Sequence, residues 1–425
     1  MQSKQKENNG SCVRKPFVAI ICVIAVLTLC ACSPLLEESQ IDETNIEETN
    51  GEINMKKFFN SDVIDGETLT RRINESDMDT GKISGWSMML SVDGQPVYKE
   101  FTGNQVFDKS SRYNLEYAEN SIFQIASVSK TIVATLIFKL QEEGKLDIYE
   151  PYYKYVDDED VFFKDVTIFH LLTHSWGYDA DASSFPQETW STPGTWADFD
   201  AYVRRLYRFD KRAYMPGSES KYSASYAILQ DLVIRISGKP VEEYAQEVLL
   251  GPLGMVDTHF NNDLVDKSRY IAPNNGRNGA DAVYYQVIDR PSVGNGGVFS
   301  TLDDLMIFSQ MLLNYGSYNG VQVLKPETVE AMIAPAIGEN VGTPDDYLGR
   351  SIGFFKRQNE QNSIFGLHHS ENTFGHSGAN GVGFFFDMEN RVTGVFLGNY
   401  SFEIEKNDYI HIRSVFEKAY EALVD

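Results

Sequence analysis

Ser127 and Lys130 lie three residues apart in the segment FQIASVSKTIVATLIFKL (residues 123–140), where small and polar residues give way to a strongly apolar run. On a helix this spacing places both side chains on one face. A serine in the first turn of a helix has free N–H groups and the positive end of the helix dipole beside it, and both favour developing negative charge. An ammonium group beside apolar residues loses solvation, which favours the neutral amine that can act as a base. The pair therefore predicts a serine nucleophile that a lysine activates.

The spacing of this pair is not unique in the chain. The pattern S-x-x-K also occurs at Ser3–Lys6 and at Ser218–Lys221. Neither copy precedes an apolar helical run, and the first lies in a leader segment. Ser127 and Lys130 also have a structural alternative, because a serine commonly caps a helix and a lysine can extend its charged end to water. The apolar run that follows them favours the catalytic interpretation.

The apolar run predicts a helix from about Ser127 to Glu143. Its apolar residues cover most of the helix circumference, so we expect the helix to be central and buried. These residues are Ile132, Val133, Leu136, Ile137, Phe138 and Leu140. Gly144 is placed to end the helix, because glycine readily adopts the left-handed conformation found just beyond helix C-termini.

Two hairpins flank a helical region. Residues Ile83–Gly103 form two strand-like runs around Asp93-Gly94, a strong short-range hairpin signal, and Gly381–Asn399 form a second pair of β-rich runs. Residues 145–285 are richer in helical pattern and long loops, and the chain closes on an amphipathic helix. Strands at both ends with helices between them predict one α/β layer, completed by the C-terminus, with a helical region inserted.

The first 31 residues predict a lipoprotein signal peptide. A basic head precedes the apolar run FVAIICVIAVLTL, which at about 13 residues is shorter than the roughly 20 that a membrane-spanning helix needs. Leu29-Cys30-Ala31-Cys32 resembles a bacterial lipobox, in which Cys32 would be lipidated after cleavage. A single uncleaved anchor helix is the alternative. Residues 32–62 are acidic and aperiodic, which predicts a flexible tether before a folded domain over residues 63–425.

Cysteine positions and net charge limit the partners of the mature protein. All four cysteines lie within the first 32 residues, so after cleavage only Cys32 would remain, and it would carry lipid. No disulfide, thiolate metal site or cysteine nucleophile is then expected. The net charge of −24 repels nucleic acid and anionic lipid headgroups. We therefore expect an extracytoplasmic protein of the cell envelope that contacts the membrane through its lipid anchor and binds no nucleic acid.

Several segments that occur in a fixed order carry a family resemblance. They are ASVSKTIVATLIFKLQEEGKLDI, VTIFHLLTHSWG, PGSESKYSASYAILQDLVIRISGKP, GPLGM, NGGVFSTLDDLMIFSQMLL and GHSGANG. Together they resemble the serine β-lactamase and penicillin-binding protein superfamily, in the branch that holds class C β-lactamases, D-alanyl-D-alanine carboxypeptidases, D-aminopeptidases and family VIII esterases. The resemblance covers residues 80–425. It implies an α/β (α+β), β-lactamase/transpeptidase-like fold, an antiparallel sheet flanked by helices with an inserted, mostly helical subdomain at residues 145–285.

The resemblance assigns roles to particular residues. It makes Ser127 the acylated nucleophile, Lys130 its partner, and Tyr222, which matches the tyrosine of the family's Y-x-N motif, the residue that shuttles the proton. His376-Ser377-Gly378 matches the third motif, K-T-G in β-lactamases. Gly378 would let its strand approach the site closely, and the N–H of Ala379 would pair with that of Ser127 as an oxyanion hole.

The chain departs from the family pattern at two positions. Ala224 replaces the asparagine of Y-x-N, whose amide would orient the lysine and hold a substrate carbonyl. We expect deacylation or amide substrates to suffer from this loss. His376 replaces the lysine of K-T-G and, being mostly neutral at pH 7, attracts a substrate carboxylate less strongly. Efficient penicillin hydrolysis is therefore less expected than transfer of an ester or peptide acyl group.

Two other constellations offer alternatives. His170 and His174 are four residues apart and could suggest a metal site on a helix, but no carboxylate lies between them as in H-E-x-x-H. We therefore expect neither metal nor other cofactor. The sequence around Ser377 narrowly misses the G-x-S-x-G elbow of α/β-hydrolases, which leaves Ser377 as a weaker candidate nucleophile.

These residues predict an exported, lipid-anchored serine hydrolase that forms an acyl-enzyme with an ester, amide or D-amino-peptide substrate of the kind found in cell walls. A different class of function is the alternative. Ala224 also fits a catalytically degraded, envelope-tethered protein that binds peptidoglycan stem peptides or β-lactams without turnover.

Overall fold

A computed structural model of the chain divides into two units, Met1–Ile41 and Asp42–Asp425. The first unit, which holds the predicted signal peptide and Cys32, lies outside the described residues, as does most of the predicted tether. All described residues belong to the second unit. They are residues 48–49, 52–53, 57–105, 115–156, 161–178, 199–273, 293–336, 349–357, 364–379, 381–399 and 409–423. Among them, no helix has the length and apolar character required to cross a lipid bilayer.

The described residues form helices and strands in the following chain order. The helices are α1 (Gly66–Ile73), α2 (Ser129–Glu142), α3 (Ile168–Leu172), α4 (Phe199–Tyr207), α5 (Ser225–Ser237), α6 (Val241–Ala245), α7 (Gly251–Leu253), α8 (Leu302–Leu313), α9 (Pro326–Ile333) and α10 (Tyr409–Glu421). The strands are β1 (Glu48–Thr49), β2 (Glu52–Ile53), β3 (Phe58–Phe59), β4 (Gly85–Val92), β5 (Gln95–Gly103), β6 (Ile122–Gln124), β7 (Tyr270–Ile271), β8 (Phe299–Ser300), β9 (Ser317–Tyr318), β10 (Val321–Gln322), β11 (Gly349–Arg350), β12 (Phe355–Lys356), β13 (Thr373–Gly378), β14 (Val382–Asp387) and β15 (Val392–Gly398).

The main sheet contains eight strands in the order β11-β12-β13-β14-β15-β4-β5-β3, and every neighbouring pair is antiparallel. The last strand of the chain in this sheet, β15, lies between β14 and the N-terminal strand β4, with Leu397 opposite Ser87. The C-terminus therefore completes the layer that the N-terminus begins. Both predicted hairpins, β4–β5 and β14–β15, are present.

The turn between β4 and β5 requires the Asp-Gly pair found there. Asp93 and Gly94 both have positive φ, +51° and +79°. Two positive φ values are those of the type I′ turn, whose twist matches that of the strands it joins. The Asp-Gly pair therefore sets the register of β4 against β5.

The main sheet has a core on each face, as the alternation of side chains along β14 shows. Phe384 and Phe386 belong to the larger core, which also contains the apolar residues of α2 and α8, and the ring centroid of Phe384 lies 5.8 Å from that of Phe308 on α8. Phe385 points the other way into the core formed with α1 and α10, 4.8 Å from Phe416. Helices therefore cover both faces of the antiparallel sheet, because successive side chains of a strand point to opposite sides.

Helix α2 is the central helix that its apolar residues predict. Every residue from Ser129 to Phe138 is buried. The α-helix begins at Ser129 rather than Ser127, because Ala126–Val128 form a single 3₁₀ turn ahead of it. Gly144 ends the helix as predicted, with φ of +69° and its N–H bonded to the Gln141 carbonyl. Helices α3 to α7 lie in the described part of residues 145–285.

Asp387, at the end of β14, ties the sheet to α10. Its buried carboxylate accepts hydrogen bonds from Ser370 N and Oγ, from Asn390 N and from the Tyr420 hydroxyl. Burial by itself would raise the pKa of Asp387, but these donors outweigh it and hold the pKa at about 2, below its usual 3.8. The ionised carboxylate is therefore the form that the fold favours.

We expect Asp387→Asn to destabilise the fold by about 2 kcal/mol at pH 7. Because the folded-state pKa is lowered, the stabilisation is present above pH 3.8 and is lost as the pH falls through about 2. The difference in free energy of unfolding between wild type and variant should therefore shrink between pH 4 and pH 2. Denaturant titrations across this range measure it, with the exposed Asp79→Asn as control. A difference that does not change with pH would contradict the assignment.

Candidate active site

A short strand and a sharp turn deliver Ser127 to the start of α2. Strand β6 pairs with β8, and the Ile125 N–H bonds the Val298 carbonyl at 2.9 Å. Ala126 then adopts φ of +45°, a left-handed conformation that non-glycine residues rarely take and that costs about 1–2 kcal/mol. The Ser129 hydroxyl accepts a bond from the Val298 N–H at 3.0 Å and steadies the turn from the other side. The backbone strain at Ala126 is therefore part of the turn that presents Ser127.

The side-chain nitrogen Nζ of Lys130 lies 3.2 Å from the hydroxyl oxygen of Ser127. Lys130 is only 1% exposed, and its Nζ also donates to the backbone carbonyl of Asn295. The same nitrogen lies over the ring of Tyr222, 4.7 Å from the ring centroid. The predicted nucleophile, its lysine and the predicted proton shuttle therefore meet at one point. The hydroxyl and carbonyl oxygens and the ring face are among the groups that surround the lysine in place of bulk water.

Tyr222 lies between Lys130 and the third motif. Its ring centroid is 6.4 Å from that of His376 on β13. His376 is 4% exposed, and its ring centroid lies 4.3 Å from that of Phe355. Its Nδ1 lies 2.5 Å from the Ser377 carbonyl oxygen. The structure thus brings His376 to the same site as the S-x-x-K pair, as the motif order predicts.

Strand β13 passes directly beside the turn that carries Ser127. A Cβ atom at Gly378 would lie 2.6 Å from the Ile125 carbonyl and 3.1 Å from the Cβ of Ala126. No side chain fits at this distance, so glycine is what allows the close approach. The residue after it, Ala379, is half-buried. The end of β13 and the start of Ser127's helix are therefore adjacent, which is the placement that two converging N–H groups require.

Ala224 occupies the position where the family has an amide. It is the residue before α5, is 5% exposed, and contributes to the larger apolar core. Its neighbour Ser223 accepts a hydrogen bond from the Trp176 indole N–H at 2.9 Å. A methyl group can neither donate to nor accept from Lys130, so other groups must orient the lysine.

Asn295 is a site residue that sequence reasoning missed. Its backbone carbonyl accepts the bond from Lys130, and its buried side-chain amide lies near the Tyr202 hydroxyl. Residue type carries no signal for such a role, because every residue has a backbone carbonyl. The segment NGGVFST could be recognised, but not the atom it contributes.

His170 and His174 do not form a metal pair on a helix. Helix α3 ends at Leu172, and His174 has φ of +55°, so the two residues do not share a helical face. Nδ1 of His170 accepts the Thr167 N–H at 3.2 Å and caps α3, and burial lowers the pKa of His170. Nδ1 of His174 accepts the Ser223 N–H, also at 3.2 Å. Both Nδ1 atoms are thus used within the protein.

The position of Ser377 does not fit the alternative assignment of this residue as the nucleophile. It lies inside β13, opposite Gly383, and is 3% exposed. An α/β-hydrolase elbow requires a serine on a strand-to-helix turn, whereas β13 continues to Gly378 and pairs along its length with β14.

Among the described residues, one group of three could hold a metal ion: His368, Glu417 and Glu421. It belongs to the loop before β13 and to α10, and Arg72 already pairs with Glu421. It is separate from the residues that surround Ser127.

The chain is similar to known proteins in sequence and in fold. The family model described as Beta-lactamase matches residues 70–415. A protein of Escherichia coli (strain K12) named "Putative D-alanyl-D-alanine carboxypeptidase" is 26% identical over 348 residues, which cover 74% of this chain and 77% of the relative. The octameric penicillin-binding protein homologue from Pyrococcus abyssi has a TM-score of 0.67 at 22% identity, covering 85% of this chain and 79% of that one. A family VIII carboxylesterase has a TM-score of 0.66 at 19% identity, covering 84% and 97%. The predicted fold class is confirmed.

Proposed function

The chain belongs to the beta-lactamase family and is a serine hydrolase of that type, and from this premise we propose that its acyl-enzyme forms on Ser127. The observation that carries the proposal is the 3.2 Å contact between the Ser127 hydroxyl and the Lys130 nitrogen in a site where the lysine is 1% exposed. A desolvated amine this close can accept the serine proton as the nucleophile attacks.

The reaction proceeds in two halves. Ser127 Oγ bonds to the substrate carbonyl carbon while its proton passes to Lys130, and the N–H groups of Ser127 and Ala379 stabilise the oxyanion. Tyr222, in contact with Lys130, passes the proton to the leaving group as the bond to the carbonyl carbon breaks. Water then attacks the acyl-enzyme, and the carboxylic acid and free Ser127 are released.

The substrate is an ester, amide or D-amino-peptide rather than a penicillin. His376 stands where β-lactamases have a lysine, so the site lacks that fixed positive charge for a substrate carboxylate. Ala224 removes the amide that would hold a substrate carbonyl. The Escherichia coli relative, named "Putative D-alanyl-D-alanine carboxypeptidase", and the fold shared with a carboxylesterase support both a cell-wall peptide and an ester as candidates.

A fluorophosphonate probe tests the proposal directly. Intact-mass measurement should show one adduct per chain, and peptide mapping should place it on Ser127. A panel of p-nitrophenyl butyrate, a D-alanyl-D-alanine peptide and nitrocefin should then show turnover of one of the first two and little of the third. The absence of an adduct, or an adduct on another residue, would sink the proposal.

The second candidate is a binder without turnover, which Ala224 motivates. The same intact-mass experiment, followed over time with a β-lactam or an ester, separates the two. An adduct that persists after excess reagent is removed supports binding, whereas free enzyme with accumulating product supports hydrolysis.

We also propose that the protein is exported and anchored in the cell envelope through lipid on Cys32. The basic head, the short apolar run and the lipobox-like Leu29-Cys30-Ala31-Cys32 after it support the proposal. In bacteria grown with a clickable palmitate analogue, wild type should be labelled and found with membranes. Cys32→Ala should lose the label and leave the membrane fraction, with Cys30→Ala as the matched control. Equal labelling of wild type and Cys32→Ala would contradict the assignment.

A further inference from the structure

A single residue, His174, accepts hydrogen bonds from the backbone on both sides of Tyr222. The carbonyl oxygen of His174 accepts the N–H of Lys221 at 2.9 Å. The ring Nδ1 of His174 accepts the N–H of Ser223 at 3.2 Å. These two N–H groups flank Tyr222 directly, so the position of the tyrosine follows that of His174.

His174 is itself fixed by its surroundings. It is 4% exposed, and its φ of +55° places it in the left-handed region, which only a few per cent of non-glycine residues adopt. The Tyr214 hydroxyl donates to its carbonyl at 3.2 Å, and the Ser225 hydroxyl lies 3.1 Å from its Nδ1. A residue kept in a strained conformation by several contacts indicates a position that the structure over-determines.

The ring of His174 also packs on the tyrosine that it holds. Its centroid lies 4.7 Å from that of Tyr222 and 5.2 Å from that of Tyr226, whose hydroxyl donates to the Leu172 carbonyl. The Lys130 nitrogen lies over the same Tyr222 ring, 4.7 Å from its centroid. A continuous line of contacts therefore runs from His174 through Tyr222 to Lys130.

The contacts from His174 through Tyr222 to Lys130 matter more because Ala224 replaces the expected amide. Because the alanine methyl cannot hydrogen-bond Lys130, alignment of the lysine with its proton carrier depends on where Tyr222 lies. We propose that His174 is a positioning residue that holds Tyr222 in register with Lys130 through its Nδ1 and its carbonyl. The proposal rests on the proposed function, in which Tyr222 moves the proton.

The proposal makes the acceptor at Nδ1 the essential feature of His174. His174→Asn keeps an acceptor at nearly the same place, since Oδ1 branches from the same carbon as Nδ1, and asparagine tolerates positive φ. His174→Gln moves the acceptor one bond outward and should release the Ser223 N–H. His170→Gln is the matched control, because His170 caps α3 four residues earlier and has no described contact with Tyr222.

The experiment is a double-mutant cycle, using p-nitrophenyl butyrate hydrolysis and the rate of fluorophosphonate labelling. Tyr222→Phe should lower kcat about 100-fold, and His174→Gln about 10- to 100-fold, with KM within about threefold. The double variant should be no slower than Tyr222→Phe, because His174 acts through the tyrosine. His174→Asn and His170→Gln should stay within about threefold of wild type in kcat. Thermal melts show that each variant is folded.

Several results would overturn the proposal. Losses that multiply in the double variant would mean that His174 acts independently of Tyr222. If His174→Gln does not fold, the test falls to His174→Asn. A folded His174→Asn that is as slow as Tyr222→Phe would also contradict the proposal. Normal labelling of Ser127 in wild type with full activity in His174→Gln rejects the positioning role alone. Failure of wild type to label at Ser127 rejects the proposed function itself, so the two failures remain distinguishable.

Discussion

The Ser127→Ala variant is expected to lose fluorophosphonate labelling completely and to lose about 10³-fold or more of its esterase activity. The reason is that the acyl-enzyme cannot form without Oγ, while the oxyanion-binding N–H groups and the rest of the site remain. A residual rate above the uncatalysed reaction would come from those groups. Because the hydroxyl is half-buried and bonded only weakly, at 3.2 Å, the folded state should be nearly as stable as wild type.

The chain supplies its own control for this prediction. Ser218 has a lysine at the same spacing, but it is exposed and its hydroxyl donates to the Met215 carbonyl at 2.7 Å. Ser218→Ala should label and hydrolyse within about twofold of wild type. Equal labelling of Ser127→Ala and wild type would show that another residue is the nucleophile. Loss of activity in Ser218→Ala would show that the serine of the second S-x-x-K pair also takes part in the reaction.

The Lys130→Met variant should lose about 10²- to 10⁴-fold in activity while melting at the same temperature as wild type or higher. Activity falls because the serine proton has no base to accept it. Stability does not fall with it, because methionine fills much of the same volume and a buried amino group is costly to desolvate. The two effects have opposite signs, which separates a functional lysine from one that supports the fold.

Lys99 provides the contrasting case. Its side chain is also buried, at 7% exposure, but its nitrogen binds the carboxylates of Glu119 and Asp303 at 2.8 Å each. Lys99→Met leaves these carboxylates without their partner, so we expect a loss of stability on the order of 1 kcal/mol and unchanged activity. Calorimetry and ester hydrolysis on both variants measure the contrast. An active Lys130→Met would remove the lysine from the mechanism.

Much of the fold could be predicted from local sequence. The apolar pattern of α2, the Gly144 terminus, the Asp93-Gly94 turn and the two-residue alternation in β14 can all be identified from residues close in the chain. Side-chain period and turn chemistry are properties of short segments, so the amino-acid types themselves carry them. Ser127 and Lys130 could be chosen from their spacing ahead of an apolar run. Tyr222 and His376 could be chosen only through the family resemblance and the order of its motifs.

By itself, then, the sequence determined which side chains could do chemistry, and which helix and hairpins would present them. Only the tertiary structure decided how they are held. The carbonyl of Asn295 on Lys130, the two bonds of His174 around Tyr222 and the contact of Gly378 with Ile125 all join residues distant in the chain. Each uses a backbone atom, which every residue possesses, so residue type does not reveal it. Which backbone atoms meet depends on how β13, α2 and the loop before α5 pack together, and that is a property of the whole chain.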